Sequence, residues 1–186
     1  MRALSGIISI VPLLLLAVAA PHKRQTDHEF DITALNGRFP TGGPYGTGPI
    51  ASSLSITINY PDASSTTGAI LTTTCSYSWP ASTPPGPTDW SVCEDTSVQW
   101  RLPTDGWTNF VNYRVEVYQT ISPDGAGLDA THYLTQNPGM SSDPNAFLSC
   151  IQMGKFNPDV CQLNGPLSVH PGPVVMYATE ETARPS

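Results

Sequence analysis

The stretch Leu54-Ser-Ile-Thr-Ile-Asn-Tyr60 decides the fold class, because apolar and polar residues alternate along all of it. Successive side chains of a β-strand point to opposite faces, so this pattern predicts a strand with one buried and one solvated face. Similar strand-like patterns recur along the chain, at 69–77, 98–102, 113–117, 130–135 and 174–178. The sequence therefore predicts a series of short strands.

Turn signals separate these predicted strands. Clusters of Gly, Pro, Asn and Asp lie at 40–44, 123–125, 137–139 and 171–173. The 19 prolines leave little room for long helices, since a proline inside a helix costs about 3 kcal/mol. No internal repeat or linker divides the chain. The sequence thus predicts an all-β fold, a single compact antiparallel β-barrel or sandwich.

The N-terminus has the pattern of a secretion leader. An apolar run follows Arg2, and it is too short and broken for a membrane span, which needs about 20 apolar residues. We predict a signal peptide over residues 1–19 and a short propeptide over 20–24 that ends in the dibasic site Lys23-Arg24. The mature chain would then begin at Gln25. Residues 25–186 would form one secreted, extracellular β domain with a flexible C-terminal tail.

The charge balance limits the classes of partner. Without residues 1–24, five of the eight basic residues and all 15 acidic residues remain, a net charge of −10. A chain this acidic repels phosphate backbones and anionic lipid surfaces. We therefore expect no nucleic-acid partner and, after leader removal, no membrane partner.

Four cysteines fall in two close pairs, Cys75 with Cys93 and Cys150 with Cys161. Secreted domains of this size commonly use disulfides to supplement a modest core. Four cysteines allow three connectivities, and the short separations favour the two local bridges. Neither Cys-x-x-Cys nor Cys-x-x-His spacing occurs, so no metal site is expected.

The sequence offers little for catalysis. His132 lies in a strand-like context and is expected to be structural, whereas His170 beside a turn proline is expected to be solvated. The acidic pairs Glu94-Asp95 and Glu180-Glu181 are adjacent in sequence, so on a strand their side chains would point to opposite faces. The second pair is assigned to the flexible tail. No catalytic residue and no cofactor are predicted, and a small secreted hydrolase is the less favoured alternative.

Aromatic residues are the better candidates for binding. All four tryptophans lie within residues 79–107. Trp100 alternates with apolar neighbours and is predicted to be core. Trp107 follows a turn and is the better candidate for exposure, with burial under a loop as the alternative; Trp90 is the second candidate. Residues 80–89 are proline-rich and predict a polyproline-like loop.

Several short motifs, taken in order, match one family of fungal proteins. They are Asn36-Gly37-Arg38-Phe39-Pro40, Thr74-Cys75, Trp90-x-x-Cys93-Glu94 and Cys150 followed by Asp159-Val160-Cys161-Gln162. Over residues 29–180 the chain resembles the secreted major-allergen family of the mould Alternaria and its relatives in plant-associated fungi. The resemblance implies a compact all-β barrel or sandwich in which Cys75 is bonded to Cys93 and Cys150 to Cys161.

The resemblance also implies a function without known enzymatic activity. Relatives act outside the fungal cell as allergens, elicitors or virulence effectors that bind plant defence proteins, and a flavonol-carrier role has been proposed. We therefore expect a non-enzymatic secreted protein acting at the host interface, with a host extracellular protein as partner. The alternative is a carrier of a small aromatic or apolar ligand. The allergen's extra subunit-linking cysteine has no counterpart between Gln25 and Thr74, which excludes a covalent dimer of that kind.

Overall fold

The computed structural model describes residues 28–65 and 68–186. The predicted signal peptide, the propeptide and the Lys23-Arg24 site lie outside these residues. Helical structure in the described part is limited to one 3₁₀ turn, Thr104–Gly106, and no helix there is long and apolar enough to cross a membrane. The strands are β1 Glu29–Phe39, β2 Ser52–Pro61, β3 Ile70–Trp79, β4 Ser91–Val92, β5 Val98–Arg101, β6 Trp107–Asn109, β7 Asn112–Thr120, β8 Gly127–Thr135, β9 Leu148–Gln152, β10 Asp159–Leu163, β11 Val174–Tyr177 and β12 Thr179–Glu181.

The strands form two six-stranded antiparallel sheets. The first has the order β3-β2-β1-β10-β9, and the second has the order β12-β8-β7-β5-β4 with β6 beside β7. In the first sheet one edge of β1 is shared: its first residues, Glu29–Ile32, pair with β11, and its last residues, Asn36–Phe39, pair with β10. A register shift after Ile32 interrupts its pairing with β2.

The buried rows of both sheets enclose one core. The predicted inward rows of β2, β5 and β7 are all buried, including Trp100. Each fully buried aliphatic or aromatic side chain of this kind contributes about 1.5–3 kcal/mol of transfer free energy. The predicted all-β antiparallel fold is confirmed. Hydrogen bonding does not close the sheets into a barrel, so the arrangement fits the predicted class of barrel or sandwich.

Both predicted disulfides are present, and together they use all four cysteines of the chain. Cys75 on β3 is bonded to Cys93 just after β4, with a Cα–Cα distance of 4.2 Å, so this bridge joins the two sheets. Next to it, the Glu94 backbone N–H donates to the Thr74 carbonyl oxygen. Cys150 and Cys161 are register partners on β9 and β10 and join two strands of one sheet.

The C-terminal segment, which the sequence predicted to be a flexible tail, makes defined contacts with the rest of the fold. After β11, the Ala178 backbone N–H donates to the His28 carbonyl oxygen, and β12 then pairs with β8 of the other sheet. Beyond β12, the Trp90 indole N–H donates to the Pro185 carbonyl oxygen at 2.8 Å. Without β12, the backbone N–H and C=O groups along this edge of β8 would have no strand to pair with. Pairing with these groups holds the C-terminal segment against the second sheet.

Candidate functional site

One end of the molecule collects aromatic side chains from both sheets. β1 and β3 finish at this end with Phe39 and Trp79, and β2 begins there, because Ser52 is the register partner of Trp79. The second sheet contributes Trp107, the first residue of β6, and Phe110 from the turn that follows. We call this region the aromatic end.

Trp107 lies at the centre of the aromatic end. Its ring stacks on the Tyr113 ring with centroids 5.1 Å apart, and it meets the Trp79 ring at 90° with centroids 6.2 Å apart. Aromatic pairs of this kind contribute about 0.5–1.5 kcal/mol each beyond their area burial. The side chain is half-buried, so Trp107 is neither a free surface residue nor a core residue. Its ring is fixed in position while part of it lines a groove.

This groove lies between the aromatic end and the proline-rich loop at 80–89. It consists of three recesses that share lining residues. The central recess has a volume of about 340 Å³. It shares Pro85 and Trp107 with a smaller recess of about 180 Å³, and Pro40 and Ser82 with a third of about 370 Å³. We call the three together the end groove. The central recess is lined by Phe39, Pro40, Ser52, Trp79, Pro80, Ser82, Thr83, Pro85, Trp107, Thr108, Asn109 and Phe110.

Local contacts hold the proline-rich wall of the end groove in place. The Leu102 backbone N–H donates to the Pro87 carbonyl oxygen at 2.7 Å. Gly86 lies so close to Tyr77 that a Cβ atom at this position would be 2.9 Å from the Tyr77 ring. Glycine therefore allows the loop to pack down on the end of β3.

Trp90, the second sequence candidate, lies outside the end groove on the outer face of the second sheet. The Arg101 guanidinium lies 4.5 Å from the centre of its ring, and the Tyr118 ring packs at 6.0 Å. Arg101 in turn pairs with Glu116 at 2.6 Å. The structure thus places the two tryptophans in different environments, and Trp90 packs against Arg101 and Tyr118.

A second surface at the same end was not predicted from the sequence. Tyr45, Met153 and Phe156 lie in two loops, and their side chains are 54%, 73% and 64% exposed. The Phe156 backbone N–H donates to the Tyr45 carbonyl oxygen at 2.9 Å, and the Lys155 ammonium lies 4.4 Å from the centre of the Tyr45 ring. We call these four residues the exposed tip. The sequence signal for it was a bulky apolar residue in the Gly-Lys-Phe-Asn loop at 154–157.

Phe156 has an unusual backbone conformation. Its φ angle is +63°, in the left-handed region. A bulky residue there is a conformational outlier and costs about 1–3 kcal/mol unless its surroundings hold it. Here the hydrogen bond to Tyr45 supplies part of that support while the phenyl ring remains exposed.

Among the described residues, no ionisable side chain lines the end groove, and the exposed tip contains Tyr45 and Lys155. Burial, with repulsion from Glu116 and Glu181, raises the pKa of Asp129 to about 6. Hydrogen bonds from Tyr60 and Ser97 hold the pKa of Asp95 below its usual value. Within the described residues, no group of three or more His, Cys, Asp or Glu side chains could hold a metal ion.

The two histidines considered for catalysis have structural contacts. Burial lowers the pKa of His132, and its ring packs edge-on against Phe147 with centroids 5.7 Å apart. His170 was expected to be solvated, but it is half-buried, and its Nε2 lies 2.7 Å from the Asp143 carbonyl oxygen. The packing of both rings against Phe147 explains this burial.

Comparison with protein-family models, with curated proteins and with solved structures finds no match to the chain.

Proposed function

We propose that the protein is a non-enzymatic, secreted fungal protein that acts at the host interface by binding an extracellular host protein through the exposed tip. The exposed tip carries this proposal. Two aromatic side chains and a methionine lie together at the surface, on loops that are hydrogen-bonded to each other. Exposed apolar groups that are clustered and held in place are typical of protein-binding surfaces.

Other features are consistent with an extracellular role. All four cysteines are in disulfides, which persist mainly in oxidising compartments. The leader-like N-terminus agrees with that location. The assignment of a fungal source, a plant host and an effector, elicitor or allergen-like role rests on the family resemblance.

The test is affinity capture from plant apoplastic fluid with the purified oxidised protein. We expect the Tyr45→Ser/Phe156→Ser double variant to lose at least tenfold in affinity for the captured protein, because both apolar anchors are gone. Tyr177→Ser is the matched control, since Tyr177 is 66% exposed on β11, which pairs with the opposite end of β1. Equal capture by the double variant and the wild type would contradict the proposal.

A carrier of a small aromatic or apolar ligand is the second candidate function. The end groove favours it, because aromatic walls and a few hydroxyl groups surround a recess of about 340 Å³, within the usual size range of small-molecule sites, about 300–1,000 Å³. A flavonol should then quench tryptophan emission in the wild type and not in Trp107→Ala. Quenching that is unchanged in that variant would contradict a site at Trp107.

A further inference from the structure

We propose that the end groove binds a neutral oligosaccharide chain. This inference goes beyond the protein-binding role proposed for the exposed tip, and it concerns different residues. Four features of the end groove support it: its three recesses with shared lining residues, its lack of charge, the presence of both aromatic and hydroxyl groups in its walls, and the fixed position of Trp107.

The shape of the end groove favours a chain over a single ring. Its three recesses share lining residues in sequence: Pro40 and Ser82 join the first to the central one, and Pro85 and Trp107 join the central one to the last. The last recess is bounded by Pro84, Pro85, Leu102, Thr104 and Trp107. A ligand built of repeated units can occupy successive recesses, whereas one aromatic ring would fill only one.

The charge of the end groove favours a neutral ligand. None of the described residues that line its three recesses is ionisable. The rest of the molecule is strongly acidic, since only five basic residues oppose 15 acidic ones after residues 1–24 are excluded. An anionic polysaccharide would meet long-range repulsion, and a cationic ligand would find no carboxylate to pair with inside the groove.

The chemistry of the walls matches the two kinds of surface on a sugar ring. A pyranose has an apolar C–H face and a rim of hydroxyl groups that both donate and accept hydrogen bonds. The indole ring of Trp107 lines two of the recesses with apolar surface, and the Ser82 and Thr108 hydroxyl groups can both donate and accept, whereas the Thr83 hydroxyl already donates to the Pro80 carbonyl oxygen. A proline-rich peptide also packs on aromatic rings, but its backbone at proline offers only acceptors. The mixed donor and acceptor capacity of the walls therefore favours the sugar.

The aromatic platform is also fixed before any ligand arrives. Tyr113 supports one face of Trp107, and Trp79 contacts it at a right angle. Because Tyr113 is fully buried, this support cannot move independently of the core. A preorganised platform reduces the entropy lost on binding.

The experiment is titration of the purified oxidised protein by calorimetry and tryptophan emission. The neutral probes are laminarihexaose, cellohexaose, N-acetylated chitohexaose and mannohexaose. The competing probes are trigalacturonate, a proline decapeptide and a flavonol. We expect at least one neutral hexasaccharide to bind. Trp107→Ala should weaken that binding about tenfold or more, because it removes the platform. Trp90→Ala is the matched control and should bind within about twofold of the wild type, since Trp90 lies outside the end groove.

A second variant guards against loss of folding in Trp107→Ala. Thr108→Val keeps the shape of an exposed side chain and removes only its hydroxyl group, so we expect weakening of severalfold with unchanged thermal unfolding. The proposal is overturned if no neutral hexasaccharide binds, if Trp107→Ala and Trp90→Ala bind alike, or if only trigalacturonate, the proline peptide or the flavonol binds. The Tyr45→Ser/Phe156→Ser variant should keep oligosaccharide binding, so failure here and failure of the proposed protein-binding role are distinguishable.

Discussion

The carboxyl group of Asp129 on β8 has one oxygen, Oδ1, that is buried without a hydrogen-bond partner. Burial and the neighbouring carboxylates of Glu116 and Glu181 raise its pKa to about 6, while Arg101 opposes the shift. The folded state therefore holds this proton more tightly than the unfolded chain does. The resulting contribution to stability is fully present below the unfolded pKa of about 4 and is lost as the pH rises through about 6.

Asp129→Asn should therefore stabilise the protein at neutral pH. We expect a gain of about 1 kcal/mol at pH 7.5, after allowance for solvent screening of this half-buried group, and almost none at pH 3.5. Urea unfolding at the two pH values measures it. Asp124→Asn is the matched control. Hydrogen bonds from Ser122 and Ala126 lower the pKa of Asp124, so its charged form favours folding and the substitution should not stabilise the protein at pH 7.5. An equal gain at both pH values would contradict the electrostatic cause.

Among the strands and loops, the two disulfides both join cysteines that are close in sequence, but they connect different parts of the fold. The Cys75–Cys93 bridge connects the sheets, whereas Cys150–Cys161 connects adjacent strands. We expect replacement of either pair by alanine to cost about 2–4 kcal/mol in the free energy of unfolding. The loss should be somewhat larger for Cys75/Cys93, whose separation is 18 residues against 11. Denaturant unfolding of both variants measures this.

Peptide mapping of the non-reduced protein provides the control for that comparison. Each cysteine should be recovered only with the partner named above. A peptide joining Cys75 to Cys150 or Cys161 would contradict the connectivity, and it would also weaken the family resemblance.

A further prediction concerns the last strand, β12, which covers the edge of β8. Deletion of residues 179–186 removes β12 and uncovers the edge of β8. We expect a lower melting temperature and concentration-dependent association, because an uncovered strand edge can pair with another chain. Deletion of 182–186 alone keeps β12 and is the matched control. It should increase acrylamide quenching of Trp90, which loses its bond to Pro185, without causing association. A full deletion that stays monomeric at high concentration would contradict the expectation.

For the molecule as a whole, we predict that proteolytic processing sets the first residue of the chain. We expect Gln25 as the first residue, because the dibasic pair Lys23-Arg24 follows a leader-like segment. The first described strand begins shortly after it, at Glu29. N-terminal analysis of the secreted protein, after removal of pyroglutamate, measures the start. A chain that begins at Ala20 or Pro21 would contradict the propeptide.

Periodicity in the sequence was sufficient to predict the fold class and much of the core. Leu54, Ile56 and Ile58 alternate with polar residues, and alternation is a property of neighbouring residues on one strand. The burial of Trp100 follows from the same local rule. The pairing of the four cysteines could also be predicted, because the partners are close in sequence and the family resemblance implied the same pairing.

Contacts between distant segments depended on the tertiary structure. The tip joins Tyr45 to Phe156, the end groove joins Trp79 to Trp107, and Pro185 covers Trp90. None of these contacts follows from local periodicity, because each depends on strand register or on how the two sheets pack across their shared core. Local alternation of apolar and polar residues sets which side chains turn inward along each strand. Tertiary packing decided which aromatic side chains meet, because that depends on the relative positions of whole sheets.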